Sequence, residues 1–290
     1  MSLLKLGLPK GSLEQATYDL FRRAGWKISP ASRNYFPSID DPEIECSLVR
    51  AQEMAKYVDM GVLDAGLTGL DWILENQADV ELVADLVYSK ATARQAKWVI
   101  AVRSDAGIDT IEQLAGKRIS TELVESTRRY FAERHIPVEV EFSWGATEAK
   151  VAEGLVDAIV EVTETGSTIR AHGLKIIHTM LETNTKLIAN KAAWADEAKR
   201  QKIENLALLL QGALNADGMV GLKMNVPEDR IAALNEVLPS LNGPTVAHLY
   251  GSDWLAVEVV VPERQVRDLI PLLRERGAEG IIEYPLNKVI

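Results

Sequence analysis

The 290-residue sequence predicts an α/β protein followed by a smaller domain of mixed strands and helices. Short apolar runs alternate with segments of helical period from residue 3 to about residue 190, which is typical of a sheet with crossover helices. A polar segment, Asp196 to Gln211, has almost no turn residues and predicts a connecting helix. The elements beyond it follow the order strand, helix, strand, strand, helix, strand, the ferredoxin-like pattern.

The first element is a strand at Leu3 to Leu8. A helix follows it, with Ser12 and Gln15 forming a capping box at its start and Gly25 at its end. Further strands are predicted at Ile44 to Val49, Leu63 to Leu67, Trp98 to Val102, Val138 to Phe142, Ala158 to Val162 and Lys186 to Ala189. Further helices are predicted at Ala51 to Met60, Leu123 to Arg134, Thr147 to Glu153 and Gly166 to His172.

The last domain has its own set of expected elements. Its predicted strands are Gly218 to Met224, Val246 to Tyr250, Leu255 to Val261 and Gly280 to Glu283. Its predicted helices are Pro227 to Leu238 and Glu263 to Arg276. Pro227 and Pro262 stand at or beside the helix starts, where a missing amide costs least.

Composition excludes several classes of function. The chain has 32 basic and 42 acidic residues, a net charge of -10, which disfavours a nucleic-acid surface or an electrostatic membrane contact. Its single cysteine, Cys46, lies in an apolar stretch typical of a small buried side chain and allows no disulfide within the chain. The start, MSLLKLGLPKG, lacks a signal-peptide pattern, so we expect a soluble, cytoplasmic protein.

The segment EVTETGSTIR, residues 161 to 170, carries the most specific chemistry. It follows a predicted strand and leads into a predicted helix, so its amides suit an anion, Gly166 allows close approach, and Thr165, Ser167 and Thr168 add hydroxyl donors. A carboxylate just before such a cradle repels phosphate but accepts from sugar hydroxyls or binds a cation. The pattern therefore predicts a phosphorylated sugar, with a capped helix that binds nothing as the alternative.

Four segments resemble one family. DAIVEVTETGSTIRAHGL, residues 157 to 174, is similar to the phosphoribosyl-pyrophosphate (PRPP) loop of the ATP phosphoribosyltransferases, the first enzymes of histidine biosynthesis. LPKGSL at 8 to 13 and DAGLTGLDWI at 64 to 73 resemble the family's other motifs, and GAEGIIEYPLNKVI at 277 to 290 resembles the end of its long form. The family usually has aspartate where Glu161 stands.

The resemblance implies two α/β lobes like those of periplasmic binding proteins, with the active site between them, and an ACT-like regulatory domain. We expect residues 1–92 and 184–211 to form the first lobe, 93–183 the second, and 212–290 the regulatory domain. The implied reaction joins N1 of ATP to C1 of the PRPP ribose, with inversion and loss of pyrophosphate. It requires Mg²⁺, held mainly by the oxygens of PRPP and pyrophosphate, and a homo-oligomer between dimer and hexamer is expected.

The implied roles fall on four groups of residues. The predicted catalytic residues are Lys10, Arg50, Glu161 and Glu164. The predicted PRPP ligands are Glu161, Thr163, Glu164, Thr165, Gly166, Ser167 and Thr168. The predicted ATP ligands are Lys10, Gly11, Arg50, Gly66, Thr68, Gly69 and Asp71. Feedback inhibition by histidine is assigned to Asn225, Leu241, Thr245 and Gly280.

Physical reasoning supports these roles but leaves each with an alternative. Lys10 and Arg50 follow strands, at the edge of a sheet where ligands bind, although each could be an ordinary surface cation. Gly66, Thr68 and Gly69 are expected in a second strand-to-helix turn, in which Asp71 could simply favour the helix dipole. The reaction needs stabilisation of a cation-like ribose and of the leaving pyrophosphate, so no essential histidine or covalent intermediate is expected.

The four histidines, His135, His172, His178 and His248, have no metal-ligand spacing and are interpreted as structural or solvent-facing. Two other functions remain as alternatives. Prephenate dehydratases combine similar lobes with an ACT domain, but the Thr-Arg-Phe string of that enzyme is absent from this sequence. A non-catalytic amino-acid sensor could use the same lobes, although it would not need Lys10, Arg50 and the full loop.

Overall fold

The computed structural model describes residues 3–30, 35–88, 95–239 and 243–290. The chain forms two units that meet in sequence after Leu208. The first unit contains two mixed five-stranded sheets, and the second contains a four-stranded antiparallel sheet. The α/β class and the separate C-terminal ferredoxin-like domain are thus confirmed.

The first sheet belongs to the first lobe, called lobe I below; the second lobe is called lobe II. Its strands are β1 (Leu4–Lys10), β4 (Ile44–Arg50), β5 (Ala65–Gly69), β6 (Glu81–Leu86) and β12 (Thr185–Ala189), in the order β4-β1-β5-β12-β6. Strands β4, β1 and β5 are parallel, and β12 is antiparallel to both its neighbours. Its helices are α1 (Glu14–Ala24), α2 (Ala51–Asp59) and α3 (Leu70–Glu75), and a small ribbon pairs β2 (Ile28–Ser29) with β3 (Ser38–Ile39).

The second sheet belongs to lobe II. Its strands are β7 (Ala96–Arg103), β8 (Arg118–Thr121), β9 (Glu139–Phe142), β10 (Ala158–Thr163) and β11 (Leu174–Thr183), in the order β11-β7-β10-β8-β9. Strands β10, β8 and β9 are parallel, so their carboxyl ends share one edge. The helices are α4 (Val124–Glu133), α5 (Thr147–Ala152) and α6 (Ser167–Ala171), with a 3-10 turn at Ile111–Leu114.

Apolar side chains hold each lobe together. Val49, Met54, Val58 and Leu63 form part of the core between α2 and the first sheet, and Gly66 packs under Met54. A Cβ at Gly66 would lie 2.7 Å from Met54 Sδ, so only glycine lets the helix approach this closely. The core of lobe II is a larger cluster, made of Trp98, Ile100, Val102, Ile108, Leu114, Ile119, Leu123, Phe131, Ile136, Ala158 and Val160.

The chain leaves lobe II through Asn184, between β11 and β12, and continues into α7 (Lys191–Ala195) and α8 (Glu197–Asn215). The C-terminal unit then contains β13 (Met219–Pro227), a 3-10 turn at Glu228–Arg230, α9 (Ile231–Asn235), β14 (Thr245–His248), β15 (Trp254–Pro262), α10 (Glu263–Glu275) and β16 (Glu279–Pro285). The strand order β14-β15-β13-β16, antiparallel throughout, is the order that a ferredoxin-like pattern requires.

Several predicted elements differ from the observed ones. Helix α1 begins at Glu14, and the predicted Ser12 cap is wrong: Gly11 turns with φ +105° and its amide donates to the Glu14 carboxylate at 3.4 Å. The stop at Gly25 is confirmed, with φ 112°. The helix expected from Pro227 to Leu238 is instead a 3-10 turn followed by α9, which ends three residues earlier than predicted, at Asn235. Strands β2, β3, β6, β8 and β11 and helix α7 were not predicted, and helix α3 was expected only as a helix without bounds after Gly69.

Candidate active site between the two lobes

A cavity of about 670 Å³ lies between the two lobes, where strand ends from both sheets meet. Its lining residues are Lys10, Gly11, Ser12, Leu13, Arg50, Ala51, Gln52, Gly69, Asp71, Trp72, Val87, Tyr88, Ala96, Trp98, Glu122, Val162, Glu164, Thr183, Asn184 and Thr185. The cavity volume lies within the range typical of sites for nucleotide-sized ligands. Lys10, Gly11, Arg50, Gly69, Asp71 and Glu164 are the predicted site residues that line it.

Lys10 and Arg50 form the basic side of this cavity. They are the last residues of the parallel neighbours β1 and β4 and are partners in register. The Lys10 ammonium lies 3.8 Å from the centroid of the Tyr35 ring, an attractive cation–π contact that leaves the ammonium's charge unneutralised. Two adjacent cations at one strand edge are suited to a polyanion. Tyr35 was not singled out in the sequence because nothing local indicates that its ring reaches Lys10.

The turn between β5 and α3 differs from the prediction. Strand β5 runs to Gly69, so Gly66 and Thr68 lie within the strand and do not line the cavity. Thr68 is buried, and its hydroxyl donates to the Ala51 carbonyl at 2.9 Å, which ties the strand to the start of α2. Placing Gly66 and Thr68 in the turn was wrong, because β12 pairs with β5 as far as Gly69 and so extends the strand beyond its apolar run.

Asp71 reaches the cavity but is already bonded to the protein. Its carboxylate accepts from the Trp98 indole at 2.7 Å and from the Trp72 amide at 3.0 Å. The hydroxyl of Thr183 accepts from the Asp71 amide at 3.2 Å. Burial raises the pKa of the Asp71 carboxyl, partly offset by the Trp98 and Trp72 hydrogen bonds. Since Trp98 and Thr183 belong to lobe II, Asp71 ties the two lobes together.

Gly69 makes this tie sterically feasible. A Cβ at Gly69 would lie 2.0 Å from Asp71 Oδ1. Any side chain at this position would push the carboxylate away from Trp98. The contribution of Gly69 is therefore to leave space for Asp71, which the sequence pattern did not reveal.

The loop from β10 to α6 has the conformation that its sequence predicts. Gly166 has φ +72°, and its amide donates to the Thr163 hydroxyl at 2.8 Å. The hydroxyls of Thr165 and Ser167 lie 3.0 Å apart and, like Thr168, are exposed. Helix α6 has only 5 residues. An anion bound here would therefore interact with the amides and hydroxyls of the loop more than with a helix dipole.

Arg170 supports this loop and was not predicted. Its guanidinium folds back and donates to the Thr165 carbonyl at 2.8 Å. A Cβ at Gly166 would lie 2.8 Å from Arg170 Nη1, so glycine also leaves room for this cation. The spacing of four residues between Gly166 and Arg170 on a short helix is the sequence signal that could have revealed the contact.

Glu161 lies beside the loop, facing α5. Its carboxylate accepts from the Val162 amide at 3.2 Å. Burial raises the pKa of the Glu161 carboxyl, and repulsion by Glu148 and Glu122 raises it further. A hydrogen bond with the Thr147 side chain lowers the pKa and partly offsets these effects. The next residue, Val162, points the other way and lines the cavity. Strand alternation thus separates Glu161 from Glu164, which lies on the cavity wall.

Glu122 is a further acidic residue that sequence reasoning missed. It follows β8 directly, and β8 is the parallel neighbour of β10 with Thr121 opposite Val160. Its side chain lines the cavity on the same edge as Glu164. Strand β8 was not predicted, so nothing indicated that Glu122 lies at a strand end.

The residues assigned to histidine lie in the C-terminal unit. Asn225 on β13 pairs with Glu279, next to Gly280, whose added Cβ would be 3.7 Å from Asn225 Nδ2. Thr245 on β14 pairs with Glu258. Asn225 and Thr245 lie on the sheet face opposite the Leu222 and Val257 core. Leu241 lies outside the described residues.

The cysteine and the histidines have the structural settings expected. Cys46 is buried in β4, and burial, with Asp41 and Glu45 nearby, raises the pKa of its thiol to about 12. His172 Nδ1 lies 2.9 Å from the Thr168 carbonyl, and the His178 ring packs 5.9 Å from Tyr130. Across the described ranges, no three acidic, histidine or cysteine side chains form a ready-made metal site. None of the helices there is long and apolar enough to cross a membrane.

Comparison with known proteins decides the family. The family model described as ATP phosphoribosyltransferase matches residues 50–212, and the model of the HisG C-terminal domain matches residues 216–288. An ATP phosphoribosyltransferase of Solidesulfovibrio magneticus is 65% identical over 289 residues, which cover 100% of this chain and 99% of that protein. The chain belongs to the ATP phosphoribosyltransferase family.

This family member has the long form, with the C-terminal domain, and is an enzyme of the pentosyltransferase class. A relative named ATP phosphoribosyltransferase from Desulfatibacillum aliphaticivorans is 64% identical over 99% of this chain and 98% of its own length. Among solved structures, the ATP phosphoribosyl transferase (HisG:HisZ) complex from Thermotoga maritima aligns with a TM-score of 0.62 and 26% identity, covering 72% of this chain and 97% of that one. The α/β fold of the chain agrees with that solved structure.

Proposed function

We propose that the chain transfers the phosphoribosyl group of PRPP to N1 of ATP, releasing pyrophosphate, as the first step of histidine biosynthesis. The observation that carries the proposal is the convergence, around one cavity, of the cationic pair Lys10 and Arg50 with Val162 and Glu164 of the β10–α6 region. Family membership supplies the reaction class. We also propose that residues 1–92 and 184–211, residues 93–183 and residues 212–290 are the two catalytic lobes and the regulatory domain.

In the proposed step, the N1 lone pair of adenine forms the bond to C1 of the ribose while the C1–O bond to pyrophosphate breaks. Attack from the face opposite the leaving group inverts C1, and the adenine amino group loses a proton afterwards. Lys10 and Arg50 stabilise the negative charge that develops on pyrophosphate. Gly69 and Gly11, which line the cavity, leave room for the ATP beside these cations.

The loop holds the other substrate in this proposal. Glu161 accepts hydrogen bonds from the ribose hydroxyls, and its position in β10, two residues before the strand ends and the loop begins, supports this role. Exposed hydroxyls of Thr165, Ser167 and Thr168 bind the 5-phosphate, and Gly166 allows its close approach. Thr163 supports the turn through its bond to the Gly166 amide. Glu164 lies at the cavity wall, where it stabilises a positive sugar.

The donor set fits Mg²⁺ bound in company with substrate phosphates. This ion usually takes one or two carboxylates, several waters and phosphate oxygens, and Glu122 and Glu164 on the cavity wall can supply the carboxylates. When bound, Mg²⁺ would neutralise charge on the diphosphate that leaves. The protein's own contribution is to hold PRPP with its diphosphate toward Lys10 and Arg50.

The proposed regulation uses the C-terminal sheet. Histidine would bind near Asn225, Thr245 and Gly280, with Leu241 as a further expected contact, and bias the enzyme between two states of a homo-oligomer. The coupling energy for such control is typically about 1–3 kcal/mol. The open sheet face that carries Asn225 and Thr245 supports this assignment.

The test is product formation. Purified protein is mixed with ATP, PRPP and Mg²⁺, and N1-phosphoribosyl-ATP is followed by its near-ultraviolet absorbance, with and without histidine. We expect product that histidine suppresses. Product unaffected by histidine would retain the transferase and refute the sensor. Thermal stabilisation by prephenate, or by histidine alone without product, would instead favour the two alternative functions.

A further inference from the structure

Helix α3 belongs to lobe I, but both of its ends are bonded to lobe II. At its first turn Asp71 accepts from the Trp98 indole. At its last residue the two carboxylate oxygens of Glu75 accept from the Glu125 amide at 2.9 Å and the Ser126 amide at 2.8 Å. These amides form the first turn of α4, whose N-terminal orphan donors otherwise need a cap or water.

The contact is reciprocal. Glu75 brings a negative charge to the positive end of α4, and the Arg129 guanidinium of α4 donates to the Leu74 carbonyl at the negative end of α3. Arg129 also donates to the Ser126 hydroxyl at 3.2 Å, which orders the same turn. Each helix therefore supplies the end group that the other lacks.

The β8–α4 turn that this contact fixes lies next to the substrate cavity. Only Leu123 and Val124 separate the Glu125 amide from Glu122, which lines the cavity. Leu123 is fully buried and its amide donates to the Thr121 hydroxyl at 3.0 Å, so the turn from β8 to α4 is tightly connected. Strand β8 lies beside β10, with Thr121 opposite Val160, and β10 leads into the β10–α6 loop.

We infer that Glu75 is a positioning residue, which fixes the β8–α4 turn and its Glu122 against the PRPP side of the cavity. The inference rests on the proposed function and adds a residue of lobe I to the support of the lobe II substrate. Because the bonded turn adjoins β10 and not β1 or β4, loss of Glu75 acts on PRPP more than on ATP.

The experiment compares wild type with Glu75→Ala and Glu75→Gln in the full chain, with Glu53→Ala as the control. Glu53 is an exposed glutamate of the same lobe whose described contact, from the Tyr57 hydroxyl at 3.4 Å, stays within α2. Steady-state assays give KM for PRPP and for ATP separately. Hydrogen exchange of the peptide covering residues 123–129 reports the two amides directly.

We expect Glu75→Ala to raise the KM for PRPP about tenfold, with kcat and the KM for ATP changed less than about twofold. Glu75→Gln keeps one acceptor oxygen, so its KM for PRPP should lie between those of wild type and Glu75→Ala. Hydrogen exchange in the first turn of α4 should be slowest in wild type, faster in Glu75→Gln and fastest in Glu75→Ala. The control should match wild type. If Glu75→Ala does not fold, a rise in the PRPP KM of at least about twofold in Glu75→Gln is required.

Two failures are distinguishable. Wild type that makes no product from ATP and PRPP refutes the proposed function and this inference with it. Active wild type with an unchanged PRPP KM in the folded Glu75 variants, or with equal rises in both KM values, refutes the positioning role alone.

Discussion

The two strand-to-helix turns on either side of the cavity look alike in sequence but differ in what they leave for a ligand. At the β5–α3 junction, Thr68 at the end of β5 bonds to the Ala51 carbonyl, and Asp71 at the start of α3 is occupied by Trp98 and Trp72. In the β10–α6 loop, the hydroxyls of Thr165 and Ser167 are exposed. In the loop, too, the threonine hydroxyls bond to neighbouring loop groups, so what distinguishes the loop is that its hydroxyls at Thr165 and Ser167 stay exposed.

The difference also assigns the two lobes different tasks. The β5–α3 turn holds the lobes together, whereas the proposed function gives the β10–α6 loop the task of binding a substrate. A substitution in the first should act mainly on stability, and one in the second mainly on activity. The following predictions test this division.

The largest effect is expected in the loop. If Glu161 binds the ribose hydroxyls as we propose, Glu161→Gln removes the accepting charge, and kcat/KM for PRPP should fall about 100-fold or more. Glu153→Gln, on an exposed residue after α5, is the matched control. Steady-state kinetics and circular dichroism check the result; unchanged activity would show that Glu161 does not bind the ribose.

The next effect is expected in the turn. Asp71→Ala leaves the buried Trp98 indole without its acceptor, so the free energy of unfolding should fall by ~2–3 kcal/mol. Asp71→Asn keeps one oxygen and should lose less. Denaturant titration measures both. A stable Asp71→Ala with a raised KM for ATP alone would make Asp71 a nucleotide ligand and end the contrast between the two turns.

A smaller effect is expected at the basic side. Lys10→Met removes one of the two cavity cations to which we assign the leaving diphosphate, and Arg50 remains, so kcat/KM should fall ~10-fold. Lys5, exposed on the same strand β1, provides the control Lys5→Met. Equal effects at the two positions would show that net charge, and not the strand end, determines the loss.

The smallest effect concerns pH. Burial raises the pKa of the Glu161 carboxyl in the folded protein. Its protonated form therefore stabilises the fold at acid pH, and this stability is lost as the pH rises through the raised value. Wild type should lose stability relative to Glu161→Gln between the ordinary glutamate range and neutral pH. Denaturant titrations of both proteins over that pH range test this prediction. A difference in unfolding free energy between them that narrows toward neutral pH would contradict the predicted direction.

Local patterns predicted the strands and helices whose apolar faces were clear, such as β1, β4, β10 and α10. They also predicted that Lys10 and Arg50 lie at one edge, because the carboxyl ends of neighbouring parallel strands share it. That Glu164, from the other sheet, lines the same cavity was expected only from the family resemblance. Helix α3 was expected after the turn at Gly69 but received no bounds, because with 6 residues it is too short to show a helical period. The bonds that define Asp71 come from Trp98 and Thr183, far along the chain, so no local pattern contained them.

The most direct test of the contrast is hydrogen exchange with and without PRPP and Mg²⁺. Peptides covering residues 161–168 and 66–71 are compared in the same experiment. We predict that PRPP slows exchange in the β10–α6 loop and leaves the β5–α3 turn, already bonded to its own lobe and to lobe II, nearly unchanged. Protection of the β5–α3 turn with no change in the loop would contradict this account.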